Sequence, residues 1–453
     1  MKKDYQTSTR RAGIGRTTPN MAPVDRGQLA SETTVSMPDT VTVAIAELAG
    51  ELEEGLLAFV VGTGLKVLDV VLEGEATSLA GVKGRHDPDR TAVRHGTDTG
   101  LVTLGGRQVP IRRPRLRSAD RTAEVQLPTY QVASSTELLG REAMARMLAK
   151  LSARRYQVGL EPMGEKVAAL SRSTSKSAVS RRFVAATESA LAELMTADLS
   201  ELDLVAIMVD GVNFAQHLCV VALGIAIDGT KHPLGLVEGD TENATVVKRL
   251  LVGLRQRGLD VTKPTLFVTD GSTALPPAIS AVFDHPVFAR CEEHKIRNVR
   301  RHLPKDVAPI VERRMRAAYR NCDPLVGQGD LEALAKELDR SHPGAGGSLR
   351  EGLAETFTIS RLGVPPTLAR TLRSTNAIES MIEICRDHSV NVKRWRDGQM
   401  VLRWCAAGMA EAKKQFRRVN GYLHLKALRV ALEAHVASSV TPDHYAAEKE
   451  VAA

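Results

Sequence analysis

Two apolar runs that each end in Asp-Gly, a hairpin dipeptide between β-rich segments, and helical periodicity around them predict an α/β protein built on a mixed sheet. The runs are LDLVAIMVDG, ending at Asp210 and Gly211, and PTLFVTDG, ending at Asp270 and Gly271. A chain of 453 residues exceeds one hydrophobic core, so several domains are expected. With 43% hydrophobic and 25% charged residues it reads as globular rather than largely disordered.

Residues 1–40 mix Thr, Ser, Pro, Gly, Arg and Lys without periodicity and predict a flexible basic arm. Residues 41–200 form the next unit, a mostly helical region assigned to DNA binding and dimerisation. Its first stretch, Val41 to about Gly81, has helical spacing and an acidic face, suited to a helical bundle or a dimer contact. Residues 93–117 read as a β-hairpin around Gly105-Gly106. Its second half carries Arg107, Arg112, Arg113, Arg115 and Arg117 without an acidic residue; this suits phosphates, the alternative being a solvated edge strand. The segment at about 160–195 reads as helix, turn, helix, with Ser173 or Ser175 as cap. Arg181 and Arg182 then lie near the start of a possible recognition helix, although helix pairs are common without DNA.

Residues 201–303 carry the core. Two β-rich runs joined at Asp228-Gly229 follow the first apolar run and suggest three antiparallel strands. TENATVVKRLLVGLRQRGL is a helix capped by Thr241 or Asn243 and stopped by Gly258. Then come PTLFVTDG, a helix pattern from Ser272 and the short strand HPVFARC. Three strands, helix, strand, helix, strand is the order of a ribonuclease-H-like core. It puts Asp210 and Asp270 at the ends of adjacent strands.

Two-metal phosphoryl transfer uses carboxylates because Mg²⁺ is a hard ion, and the ions must lie about 3.5–4 Å apart. A third ligand is expected from a later helix. RSTNAIESMIEICR supplies Glu379 in its first turn, beside an apolar stripe of Ile378, Met381, Ile382 and Cys385. Any one Asp-Gly could be a turn or cap residue, and the competitors are Glu383, Glu238, Asp240 and Glu242. The combination favours Asp210, Asp270 and Glu379 as catalytic and metal-binding residues.

IMVDGVNF, FVTDGSTAL, ARCEEHKIRNV, STNAIES and VKRWRDGQM together resemble the Mutator-type family of bacterial insertion-sequence transposases, in matching order from Leu204 through Tyr422. The resemblance implies a ribonuclease-H-like catalytic core, a DDE triad carried onto Asp210, Asp270 and Glu379, and an α-helical insertion domain. That insertion is assigned to residues 304–370, where KDVAPIVERRMRAAYR and DLEALAKELDRS have helical period and HPGAGGS reads as a break. Residues 371–422 return to the core with the glutamate, and 423–453 form a C-terminal helical tail. Cys291 and His294 match a further C-x-x-H signature. One Cys and one His supply half of a zinc site, so a structural role beside the active site is favoured.

Lys295, Arg297, Arg300, Arg301 and Lys305 give the following helix a positive face, and Lys393, Arg394, Trp395 and Arg396 add charge around an aromatic plane able to stack on a base. Packing inside the protein is the other reading of Trp395. Lys and Arg exceed Asp and Glu by 61 to 53, so the charge matters through clustering. The expected activity is metal-dependent DNA strand cleavage and strand transfer, with two Mg²⁺ ions (or Mn²⁺) per site. The expected partners are double-stranded DNA at terminal inverted repeats and target, and further copies in a homo-oligomer, at least a dimer. Alternatives are a nuclease without strand transfer and a catalytically silent DNA-binding regulator. No run suits a signal peptide or membrane span, and the five scattered cysteines suggest free thiols in a reducing cytoplasm.

Overall fold

The computed structural model describes residues 55–440, apart from 86, 87, 162 and 240–242. The expected arm at 1–40, residues 41–54 of the first helical stretch, and the tail beyond 440 lie outside these residues.

The chain begins with α1 (Leu56–Ala80), whose Leu72, Ala76 and Ala80 pack on the hairpin β1 (Ala92–Leu104) and β2 (Arg107–Ser118). Leu104 pairs with Arg107 across Gly105 and Gly106, both at positive φ (52° and 82°), the backbone that a tight two-residue hairpin turn demands. A short β3 (Glu124–Val125) pairs with the far end of β2. Helices α2 (Pro128–Ala133), α3 (Glu137–Leu148), α4 (Glu165–Leu170) and α5 (Lys176–Thr196) follow. Ser175 is the cap of α5, its hydroxyl accepting from the Ala178 amide, while Ser173 sits at φ 72°.

The central sheet has five strands: β4 (Leu204–Phe214), β5 (His217–Ala226), β6 (Lys231–Gly239), β7 (Thr265–Thr269) and β8 (Pro286–Arg290). Their spatial order is β6-β5-β4-β7-β8, with β5 antiparallel to both neighbours and β4, β7 and β8 mutually parallel. The predicted mixed α/β class is therefore observed. Helix α6 (Ala244–Gln256), capped by Asn243, and α7 (Leu275–Ser280) connect the parallel strands and bury Val247, Leu251 and Ile279 against one face. Alternation sends Ile207, Val209 and Phe267 to that face and Ala206, Met208, Leu266 and Val268 to the other.

After α8 (Glu292–Arg301) the chain builds a helical unit: α9 (Ala308–Tyr319), α10 (Pro324–Ser341), α11 (Pro343–Arg350), α12 (Leu353–Thr356) and α13 (Thr358–Arg361). It shares a core of its own, including Val299, Met315, Leu334, Leu349 and Phe357. The expected break at HPGAGGS is confined to His342, and Pro343 onward is helical. Proline is tolerated in a first helical turn, and the glycines let α11 approach α10: a Cβ at Gly346 would lie 2.8 Å from the Ala335 carbonyl. Helices α14 (Pro366–Leu372), α15 (Asn376–Ser389), α16 (Gly398–Gln415) and α17 (Leu425–Val440) return to the second sheet face, which they cover with Leu368, Met381, Cys405 and Leu428. Among the described residues no helix is long and apolar enough to cross a membrane.

Candidate active site

Asp210 departs from its expected place at a strand end. Strand β4 continues through it to Phe214 because the antiparallel partner keeps pairing, Asp210 with Val221 and Val212 with Cys219. The neighbouring strand β7 stops at Thr269, so the edge beside Asp210 opens there. The last parallel pair is Met208 with Val268; two residues further on each strand brings Asp210 level with Asp270. Adjacent strands lie about 4.8 Å apart, and both positions share the parity of Met208 and Val268. The two carboxylates therefore stand on the face covered by α15.

Asp210 Oδ1 accepts the Gly211 amide at 2.7 Å, and Asp270 Oδ1 accepts the Ser272 amide at 2.9 Å. Each is partly buried. Helix α15 carries Glu379 in its first turn and inserts Ile378, Met381, Ile382 and Cys385 into the core formed with Met208 and Val212. The helix thus presents Glu379 to the same face.

Glu379 is held from two sides. Thr375, fully buried, makes no side-chain cap to α15; its hydroxyl instead donates to Glu379 Oε1 at 2.7 Å. His294 Nδ1 stands 3.5 Å from the same oxygen and 3.2 Å from the Thr375 hydroxyl. Cys291 completes the chain: its amide donates to the Thr269 carbonyl at 2.8 Å, immediately before Asp270. Burial works to raise the Cys291 thiol pKa, but hydrogen bonding with His294 and Thr375 outweighs it and holds the thiol below its ordinary value. The bond to Cys291 raises the His294 pKa against the opposing effect of burial, with a smaller contribution from the Glu379 charge. Among the described residues no group of three or more His, Cys, Asp and Glu side chains is drawn together as a metal cluster. The aligned aspartates nevertheless present hard oxygen donors of the kind a divalent ion takes.

The competitors sit elsewhere. Glu238 is tied to His217 Nδ1 at 2.7 Å on β6, which is separated from β7 by β5 and β4; Glu383 is exposed, and Asp240 and Glu242 lie outside the described residues.

The basic residues divide. Arg112, Arg181, Arg297, Lys393, Arg394 and Arg396 are exposed. Arg113 and Arg115 both pair with Glu124, a carboxylate that β3 delivers to an arginine row without acidic residues of its own, and Arg113 also lies over the Tyr130 ring. Arg182 donates to the Ser173 carbonyl at 2.5 Å. Lys295 overturns its expected DNA-facing position. It is fully buried, and its ammonium donates to the Ser348 carbonyl at 2.7 Å and to that of Glu351, tying α8 to the end of α11. Lys393 to Arg396 belong to the connector between α15 and α16. Trp395 packs 5.0 Å from Phe214 at the tip of β4 and edge-on to Trp404 at 6.2 Å. All five cysteines are free.

The part of the site that sequence reading missed is Thr375. The available signal was its spacing, four residues before Glu379 and so on the same side of one turn.

A five-stranded mixed sheet with two level aspartates, faced by a helix that carries a glutamate and follows an inserted helical unit, gives the framework of an enzyme that processes DNA. Residues 42–419 match the Mutator family of transposases, and the chain belongs to that family. It is 27% identical over 367 residues to the transposase for insertion sequence element ISRM5 of Rhizobium meliloti (strain 1021), covering 80% of this chain and 90% of that protein. A probable insertion-sequence transposase of Corynebacterium diphtheriae is 28% identical over 47% of this chain and 65% of its own length. The transposase for IS6120 of Mycolicibacterium smegmatis is 29% identical over 42% and 59%.

Proposed function

We propose that the chain binds the ends of an insertion sequence, cleaves a DNA strand there and transfers it to target DNA, using a ribonuclease-H-like core. The observation that carries this reading is the register that brings Asp210 and Asp270 level on the sheet face covered by the Glu379 helix. In this reading Asp210 and Asp270 would hold two Mg²⁺ ions, for which Mn²⁺ could substitute, with Glu379 as the third carboxylate ligand, kept in place by Thr375. The ions, when bound, supply Lewis-acid stabilisation of the scissile phosphate and a more acidic attacking hydroxyl. Asp210 and Asp270 orient both partners of the displacement. Thr375 and His294 hold the Glu379 carboxylate ready at the site's edge, and the sheet behind it excludes water from one side.

Two element ends require two active sites, which favours a homo-oligomer of at least two copies. Helix α1 offers a candidate contact, with Leu56, Val60, Val67 and Val70 exposed on its outer side.

The test supplies labelled element-end DNA and Mg²⁺ or Mn²⁺ to the wild type and to Asp270→Ala. Wild type should give strand cleavage and joined products, and the variant neither at matched folding. Equal cleavage by both proteins overturns the assignment; cleavage without joined products reduces it to a nuclease.

A further inference from the structure

Two neighbouring depressions flank the start of α15 and share Arg370, Ser374 and Asn376. The smaller, about 470 Å³, is lined by Lys231, Arg370, Arg417 and Arg418, has neutral hydrogen-bonding side chains such as Thr371 and Ser380 between them, and contains no carboxylate. Among the described residues none of the four cations is in an ion pair. Lys231 lies 4.7 Å from the Phe416 ring centre and Arg418 lies 5.2 Å from that of Tyr422. The Arg418 charge also acts on Asp228, outside the lining, whose Oδ1 accepts the Thr230 amide and hydroxyl. Elsewhere on this protein, arginines such as Arg316 and Arg146 are matched by carboxylates at 2.6 to 2.9 Å. Four cations around one concavity that has no carboxylate in its lining give it a positive potential suited to an anion.

The walls are fixed before any ligand arrives. The Val419 amide donates to the Gly229 carbonyl at 3.0 Å, and the Thr371 hydroxyl donates to the Asn420 carbonyl at 3.1 Å. These bonds hold the Arg417–Asn420 segment against both the β5–β6 turn and α14. The larger depression, about 800 Å³, continues to the junction with the helical unit, where Arg373 and Arg316 are paired with Glu292 and Glu293, so the unmatched charge is concentrated in the smaller depression. Asn376, Ala377 and Ser380 of α15 line the smaller depression, so this positive tract adjoins the first turn that bears Glu379.

We propose that this tract binds the phosphodiester backbone of the DNA strand as it leaves the Glu379 side of the site, with Lys231, Arg370, Arg417 and Arg418 meeting successive phosphates. The proposal rests on the reading of the chain as a DNA-processing enzyme. Neutral side chains between the cations can donate to phosphate oxygens without reading bases, so the contribution is independent of sequence.

The experiment measures binding of a fluorescein-labelled DNA duplex to the full chain by anisotropy across a series of KCl concentrations. Three proteins are compared: wild type, Arg417→Gln/Arg418→Gln, and Lys248→Gln/Arg255→Gln on α6, which removes equal charge from the helix over the opposite sheet face. The groove pair should reduce the slope of log K against log salt by about 2 while the α6 pair leaves it unchanged. Arg417→Lys/Arg418→Lys should restore most of the slope. Equal slopes for wild type and groove variant, equal losses in both double variants, or no rescue by lysine each overturn the proposal. So does a groove variant that loses affinity for ATP while its DNA slope is unchanged, which identifies a free-nucleotide site instead. Absence of salt-dependent DNA binding by the wild type would defeat the underlying DNA reading as well, and so is distinguishable.

Discussion

The Thr375 hydroxyl donates to Glu379 Oε1 at 2.7 Å from four residues earlier in the chain, so a buried side chain sets the rotamer of the third carboxylate. A threonine in this position would ordinarily cap its helix. Here the cap is forgone, and His294 approaches the same pair from α8, whose start is bonded to the end of β7. The glutamate is thereby connected to the strand that precedes Asp270, although the helical unit separates the two in sequence.

Thr375→Val keeps the side-chain volume and removes that donor. One lost hydrogen bond of this kind costs about 1 kcal/mol of stability, so the variant should stay folded, while strand cleavage should fall at least tenfold through misplacement of Glu379. Thr375→Ser should recover most of the loss. Single-turnover cleavage with melting curves checks this; equal rates for Val and wild type would remove the positioning role.

Glu292 is half-buried beside Arg373, Arg316 and Glu293, and its desolvation pushes its pKa up to about 8 against the pull of Arg373. A carboxyl whose folded pKa is raised contributes stability that is full below about 4.5 and is lost as pH rises towards 8. Glu292→Gln, which mimics the neutral form, should therefore melt close to wild type at pH 4.5 and above it at pH 8.5. A difference in melting temperature that does not change with pH would refute the assignment.

Lys295 ties α8 to two carbonyls at the end of α11. Lys295→Met should leave those carbonyls without a donor and cost about 1–3 kcal/mol in a urea titration. DNA affinity at low temperature should change little, because the ammonium is buried. A variant of unaltered stability but weakened DNA binding would return Lys295 to the DNA-contacting set.

Gly346 and Gly347 lie side by side in α11 with opposite surroundings. A methyl at 346 meets Asp339 and the Ala335 carbonyl of α10, whereas one at 347 meets nothing within 4 Å. Gly346→Ala should destabilise by about 1–3 kcal/mol through overpacking. Gly347→Ala should be neutral or stabilising by up to about 1 kcal/mol through helix propensity. Thermal melts of both variants compare the two directly, and equal effects would show that α10 and α11 are not in close contact.

The sheet was readable because a strand buried on both faces leaves a nearly unbroken apolar run, as in LVAIMV and TLFV, and because Asp228-Gly229 marks its own turn. The helix of Glu379 was readable from the stripe Ile378, Met381, Ile382 and Cys385. Less readable was where strands stop: Asp-Gly looks like a terminus, yet β4 runs on to Phe214 because β5 supplies partners. HPGAGGS suggested a break because glycine has low helix propensity, and packing against α10 overrode it. Lys295 looked like surface charge because a local sequence does not reveal that α11 ends over it.

What the sequence by itself determined is the chemical inventory and its order: two aspartates after apolar runs, a glutamate beside an apolar helical stripe, and a separate run of amphipathic helices between them. These are local properties, set by the period of side-chain burial along each element. Only the tertiary structure decided that Asp210 stands level with Asp270, that Thr375 and His294 hold Glu379, that Glu124 takes two of the expected DNA-contacting arginines, and that Arg370, Arg417, Arg418 and Lys231 share one unpaired concavity. Each of these depends on strand register or on contact between distant segments, whose free energy comes from burying whole faces together and leaves no mark in any single stretch of chain.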